Sequence, residues 1–174
     1  MGIKIHEILI PIINEREYKI IAEIGVDTGG LTRRILEGTS LKQYWAIDPW
    51  KKQEGNIPGW GRLAGCSQKE WDKKAKAVVN FPFPELSVLR MTSLMASKVF
   101  RSYYFDMVFI DAVHSYKNTK QDIRIWEPLI RPGGVLCGHD YRKRFKGVVD
   151  AVDELIGKDL KLLPATVWLK EICD

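Results

Sequence analysis

Phe105-Asp-Met-Val-Phe-Ile110 is a short, mostly apolar stretch that runs straight into the polar segment Asp111-Ala-Val-His114-Ser-Tyr116. Such a run, rich in aromatic and aliphatic residues and bounded by polar ones, reads as a strand buried on both faces. Downstream, Lys117 to Ile130 sets Ile123, Trp126, Leu129 and Ile130 on one face, the period of an amphipathic helix. Pro132-Gly-Gly134 turns the chain into a second buried strand, Val135-Leu-Cys-Gly138, which ends at His139-Asp140. Val148 to Ile156 is helical in pattern. Leu160 to Leu163 and Thr166 to Ile172, joined at Pro164-Ala165, read as a closing hairpin.

The same alternation extends upstream. Lys19-Ile-Ile-Ala-Glu-Ile24 is a strand that breaks into Gly25-Val-Asp-Thr-Gly-Gly30, and Leu31 to Glu37 is a helix stopped by Gly38. Gln43-Tyr-Trp-Ala-Ile47 is a strand ending at Asp48-Pro49, since proline cannot continue a ladder. Residues 51–67 are glycine-rich and read as a long loop. Gln68 to Asn80 is a helix, Leu86 to Arg90 a strand, and Ser93 to Phe100 a short helix. Strands separated by helices must run parallel, with right-handed crossovers that place helices on both faces. The expected fold is a doubly wound α/β domain covering residues 1–174, with an antiparallel C-terminal end.

Composition agrees with a soluble globular chain. Of 174 residues, 45% are hydrophobic and 28% charged, which excludes a disordered, collagen-like or membrane-bundle protein. Twenty-seven basic against 22 acidic residues gives a net charge of +5, mild enough for an anionic substrate, an RNA partner or an ordinary enzyme. Cys66, Cys137 and Cys173 are odd in number and widely spaced, so reduced thiols and a cytoplasmic setting are expected. No signal peptide and no membrane-spanning run is expected.

Ligands of such sheets bind beyond the carboxyl ends of the strands. There the chain places Gly25-Val-Asp27-Thr-Gly29, Asp48-Pro-Trp50, Met91-Thr92-Ser93, Asp111 with His114, and His139-Asp140-Tyr141. Gly25 lacks a glycine two residues on, where Asp27 stands. A carboxylate beside a pyrophosphate is unfavourable, so the loop suits a ligand without one. Asp48 lies 48 − 25 = 23 residues past Gly25, close to the spacing at which an acid meets a ribose diol; a turn aspartate is the simpler alternative. Trp50 either stacks on a base or belongs to the core. Asp111 and Asp140 suit a hard divalent cation such as magnesium, and His114 suits a general base. Both Asp140 and His114 also fit plain helix capping, and His139 is a metal ligand, a substrate contact or a loop residue. Arg142-Lys-Arg144 with Lys146, and Lys69, Lys73, Lys74 and Lys76, are solvated faces or attract an anionic substrate.

The stretches Glu23-Ile-Gly25-Val-Asp-Thr-Gly29, Ala46-Ile-Asp48-Pro-Trp50 and Phe105 to Tyr116 resemble the class I S-adenosylmethionine-dependent methyltransferases. Continuing through Asp122, Trp126, Leu129, Pro132-Gly-Gly134 and Gly138-His-Asp-Tyr141, the chain looks like the small-molecule O-methyltransferase branch related to the catechol type. The resemblance implies a Rossmann-like sheet of seven strands, the last antiparallel. It implies that Glu23 and Gly25, with Asp27 and Gly29 in the same loop, lie near the methionine part of S-adenosylmethionine. It places Asp48 on the ribose, and Trp50, Thr92 and Ser93 around the adenine. Asp111, His139 and Asp140 take the positions that hold magnesium in metal-dependent relatives, and His114 that of the base. His139 stands where a carboxylate is usual, leaving magnesium, another divalent ion such as manganese, or no metal open. The segment before the first strand is short, so residues 51–80 are expected to cover the cofactor.

The function expected is O-methylation of a small molecule, with Asp111 and His114 catalytic. The alternatives are methylation of RNA or another nucleic acid through the basic surface, and a non-catalytic module holding a nucleotide-like ligand. Trp60, Trp71, Phe81 and Phe83 are expected to form an exposed aromatic set suited to a lid or a homo-oligomer surface.

Overall fold

The computed structural model describes residues 2–51 and 65–173. The strands are β1 (Ile20–Ile24), β2 (Gln43–Ile47), β3 (Leu86–Leu89), β4 (Phe105–Ile110), β5 (Ile130–Gly138), β6 (Lys161–Leu163) and β7 (Val167–Glu171). They form one seven-stranded sheet in the order β3-β2-β1-β4-β5-β7-β6. The first five run parallel, and β7 is antiparallel to both β5 and β6. The α/β class, the parallel sheet and the antiparallel end follow the expectation.

The helices are α1 (Ile5–Glu15), α2 (Gly30–Gly38), α3 (Gln68–Val79), α4 (Ser93–Ser97), α5 (Tyr116–Trp126) and α6 (Lys146–Leu155). One core layer gathers Leu9, Ile13, Ile35, Trp71 and Val78 against Met107 and Phe109 of β4. The other gathers Ile123, Trp126, Val148 and Val152 against Val108 and Ile110. Alternation along β4 thus feeds both faces, as the two-residue period of a strand requires. Asp106 breaks the apolar run yet is satisfied: it accepts from the Lys19 and Ile20 amides at 2.5 and 2.7 Å and pairs with Arg131. It thereby anchors the entry of β1 to β4.

Several details differ from the expectation, α4 ending at Ser97 instead of Phe100 among them. α1 was not foreseen; it packs on α2 and buries Leu9 and Ile13. α5 ends at Trp126 rather than Ile130, because Pro128 has no amide to donate, and Glu127–Leu129 tightens into a 3-10 turn. β5 takes in Pro132-Gly-Gly134 instead of beginning after it, with a register irregularity opposite Phe105 and Met107. Of the expected cover at 51–80, residues 52–64 lie outside the described residues, Trp60 among them, and the later part is α3. Trp71 is buried, not exposed, and Phe81 and Phe83 are half-buried.

Register aligns the strand ends. Leu89, Ile47, Ile24, Ile110 and Gly138 are paired across β3, β2, β1, β4 and β5. The next residues, Arg90, Asp48, Gly25, Asp111 and His139, therefore leave the sheet at one level along its carboxyl edge.

Candidate active site

A cavity of about 630 Å³ opens at that edge, within the range of small-molecule sites. Its walls include Glu23, Gly25, Asp27, Asp48, Thr92, Ser93, Asp111 and His114. Eight of the residues singled out from sequence therefore meet in one place.

The first loop is shaped by backbone demands. Gly25 has φ of 90°, and a Cβ there would collide with the carbonyl of Asp111, just past the neighbouring β4. Glycine lets β1 and β4 close together at the floor of the cavity. Asp27, Trp50 and Asp140 hold positive φ of 50°, 39° and 61° although none is glycine. Of these only Asp27 lines the cavity; Trp50 and Asp140 lie behind its wall.

Asp48 holds this loop. Its Oδ2 accepts from the Val26 and Asp27 amides at 2.9 and 3.0 Å, and its Oδ1 accepts from the Trp50 amide at 2.7 Å. A carboxylate has about four acceptor positions, so one remains for a hydroxyl rather than the two a diol would use. Burial raises the pKa of Asp48, and the three amides oppose that. Trp50 is fully buried and does not line the cavity; its Nε1 donates to the Asp27 carbonyl at 2.7 Å. Gly29 also stands back from the cavity. It begins α2 with φ of 74°, where a Cβ would strike Val78 and Phe81. Asp27 pairs with Lys74 of α3, tying that helix to the loop.

Glu23 is buried at the base of the cavity. Its Oε2 accepts from the Thr32 hydroxyl and from the Tyr44 hydroxyl, the latter at 2.7 Å. Burial raises its pKa to about 8 despite those donors.

Four titratable side chains meet where β4 and β5 end. His114 Nε2 lies 2.9 Å from Asp140 Oδ2 and 3.6 Å from Asp111 Oδ1. His139 Nδ1 lies 3.5 Å from Asp111 Oδ2 and 3.6 Å from Asp140 Oδ1. Arg142 reaches Asp140 Oδ1 at 2.7 Å. Burial opposes ionisation throughout, yet mutual attraction wins: Asp111 is held below the usual carboxylate range, His139 is raised, and His114 is raised to about 9. The His114 ring packs on Phe145 at 4.4 Å, and neither of its buried nitrogens makes an aligned hydrogen bond among the described residues. One ligand atom each from Asp111, His139 and Asp140 lies within 4.8 Å of the others. His139 and Asp140 sit behind Asp111, outside the main cavity wall.

Asp122 of α5 was not singled out as a site residue, yet it lines the cavity. Ser93 Oγ donates to Asp122 Oδ1 at 2.5 Å, and Trp126 Nε1 donates to Ser93 Oγ at 2.8 Å. The signal was available: Thr119, Asp122 and Trp126 follow helical spacing on the buried face of α5.

A doubly wound sheet closed by an antiparallel pair, with an acid after β2 and a cavity over the first glycine turn, defines the Rossmann-like methyltransferases. Residues 22–141 match the family described as methyltransferase domain, and the chain belongs to that family. It is a methyltransferase dependent on S-adenosylmethionine. No curated protein matches the chain in sequence. Among solved structures it is similar to a Staphylococcus aureus protein assigned as a caffeoyl-CoA O-methyltransferase, at 17% identity and TM-score 0.64, covering 94% of this chain and 80% of that one. It is also similar to the O-methyltransferase TomG from Streptomyces achromogenes, involved in tomaymycin synthesis and solved with S-adenosylmethionine. That match has 15% identity and TM-score 0.63, covering 97% of this chain and 79% of that one. The cofactor-bound protein Rv0187 from MTB matches at 15% identity and TM-score 0.64, covering 99% of this chain and 82% of that one. At these identities the likeness is one of fold. No helix among the described residues is long and apolar enough to cross a membrane.

Proposed function

We propose that the protein methylates an oxygen of a small-molecule acceptor, and that the cavity over the first glycine turn holds the cofactor. The carrying observation is the continuity of that cavity from Glu23, Gly25 and Asp48 to Asp111 and His114. A single cleft then brings a methyl donor to a proton-handling group. S-adenosylmethionine supplies an electrophilic methyl on its sulfonium, so the protein's tasks are alignment and proton removal. Glu23 Oε1, which accepts no hydrogen bond among the described residues, would accept from an ammonium, whose charge draws the proton off the buried carboxyl that otherwise holds it up to about pH 8. Asp48 keeps one acceptor position for a ribose hydroxyl while fixing the loop. Thr92 and Ser93 border the base.

His114 takes the acceptor's proton, but not as a free imidazole at neutral pH. Held between two aspartates, it is protonated there and acts as a base only when their charge is offset or the pH approaches 9. The donor set of a divalent ion is present, since ligand atoms from Asp111, His139 and Asp140 converge, one from each; Arg142, now paired with Asp140 Oδ1 at 2.7 Å, would have to yield that oxygen. Their mixed nitrogen and oxygen donors suit manganese or a comparable transition ion better than magnesium. Such an ion would lower the pKa of an acceptor hydroxyl.

The basic surface gives less support to RNA. Arg142 is paired with Asp140, Lys146 with Asp150, and Lys74 with Asp27. Calorimetric titration with S-adenosylhomocysteine, with and without manganese, tests the cofactor site. Label transfer from S-adenosylmethionine to a panel of catechols, phenols and structured RNAs tests the acceptor. Micromolar binding with transfer to a small hydroxyl compound is expected. Transfer to none of the hydroxyl compounds, or transfer only to RNA, would overturn the small-molecule reading.

A further inference from the structure

Arg142 stands two residues after Asp140 and reaches back to it. A guanidinium nitrogen lies 2.7 Å from Asp140 Oδ1. That oxygen faces His139, whose Nδ1 is 3.6 Å away, while Oδ2 is taken by His114 at 2.9 Å. Arg142 therefore puts a positive charge on the side of Asp140 that turns towards the converging set of Asp111, His139 and Asp140. A guanidinium and a metal ion cannot share Oδ1, because like charges at that distance repel strongly even when partly screened.

The contact is displaceable. Its partners are unequally placed: the Asp140 side chain is 6% exposed and that of Arg142 46%. The guanidinium can move into water, whereas the carboxylate cannot. One nitrogen meets one oxygen, and Oδ1 has no aligned hydrogen bond among the described residues, so the pair lacks the forked geometry of the strong arginine–carboxylate pairs. The guanidinium also lies 4.7 Å from the Phe145 ring, a face it keeps on leaving the carboxylate. Its tether is short and fixed. The Arg142 amide donates to the Asp140 carbonyl, and the Phe145 amide donates to the Arg142 carbonyl, both at 2.8 Å. A cation on such a tether acts at high effective concentration. Arginine keeps its proton at any working pH, so it is no ligand itself and competes only for the carboxylate.

We propose that Arg142 is a tethered competitor of the divalent ion: it neutralises Asp140 in the unloaded protein and sets the metal concentration at which the site fills. This rests on the reading of Asp111, His139 and Asp140 as a metal site.

The test is calorimetric titration of the whole protein with manganese chloride at pH 7.5, without cofactor, for the wild type, Arg142→Gln and Arg142→Lys. Arg142→Gln should bind manganese about tenfold more tightly or better. Arg142→Lys keeps the charge and should stay within a few-fold of the wild type. Manganese binding by Arg142→Gln alone would be the same competition in its strongest form. Equal or weaker binding by Arg142→Gln overturns the proposal and leaves the metal site standing. A lysine variant that gains as much as the glutamine one overturns it too, because charge is then not what competes. Binding by neither the wild type nor Arg142→Gln, or binding that survives Asp111→Asn, overturns the metal reading itself and the proposal with it.

Discussion

Replacing Asp140 by asparagine should release the proton of His114. The imidazole stands at about 9 instead of 6.5, although burial alone would push it down. Asp111 and Asp140 therefore supply more than the net difference of about 2.5 pH units, which corresponds to roughly 3 kcal/mol. Both carboxylates lie close to Nε2, Asp140 at 2.9 Å and Asp111 at 3.6 Å. If each provides about half, removing one lowers the midpoint by more than about one pH unit. The Arg142 guanidinium, left beside a neutral amide, would push in the same direction.

The assay needs no acceptor. The imidazole signals of His114 and His139, assigned with single glutamine variants, are followed by NMR from pH 5 to 10 with a chelator present. The wild-type His114 midpoint is expected near 9, and that of Asp140→Asn below about 8. The sign for stability follows. A histidine with a raised folded pKa contributes fully below pH 6.5, and its contribution is lost as pH rises through about 9. Unfolding free energy of the wild type should decline across that window, and the decline should be smaller in Asp140→Asn. A wild-type midpoint at or below 7, or no movement in the variant, would refute the reasoning.

Other perturbations follow from the same geometry. Glu23→Gln keeps the oxygen that Thr32 and Tyr44 address but removes a carboxyl whose pKa burial has raised from 4.5 to about 8. Because that carboxyl makes wild-type stability fall as pH rises between those values, the variant should gain over the wild type by about 1.4 kcal/mol per pH unit, read by urea unfolding at pH 5 and 8. It should also bind S-adenosylhomocysteine more weakly, as expected where a buried acid serves a ligand at the expense of stability. Asp48→Ala leaves the amides of Val26, Asp27 and Trp50 without their acceptor. Denaturant unfolding should show a loss of about 3 kcal/mol or more, and cofactor affinity should drop at least about tenfold with the loop. A divalent ion and the His114 proton compete for the same two carboxylates. Manganese affinity measured by calorimetry should therefore rise between pH 7 and 9, and Asp111→Asn should abolish it.

Much of this was legible in the sequence because strand ends carry it. The mostly apolar pattern of β4 announced a sheet covered on both sides, and polar residues just past β1, β2, β3 and β4 line one cavity once register aligns Ile24, Ile47 and Ile110, while His139 and Asp140 after β5 stand behind its wall. α1 was less visible. Ile5, Leu9, Ile12 and Ile13 do follow helical spacing, but Pro11 interrupts the stretch, and it is packing against α2 that holds the helix. Trp50 illustrates a limit of residue type: a stacking tryptophan and a core tryptophan read alike, and only the full burial of the ring and its hydrogen bond to the Asp27 carbonyl show it turned inward. Asp48 was identifiable as an acid after β2, but not as the acceptor of three amides, because those partners exist only once the loop has closed. Asp122 is the converse. An acid three residues after Thr119 and four before Trp126 lies on the buried face of its helix, and a buried acid demands a partner. Half of that demand is met by Ser93. The other half faces the cavity that Asp122 lines, so the helix after β4 forms part of that wall as well as of the layer that covers the sheet.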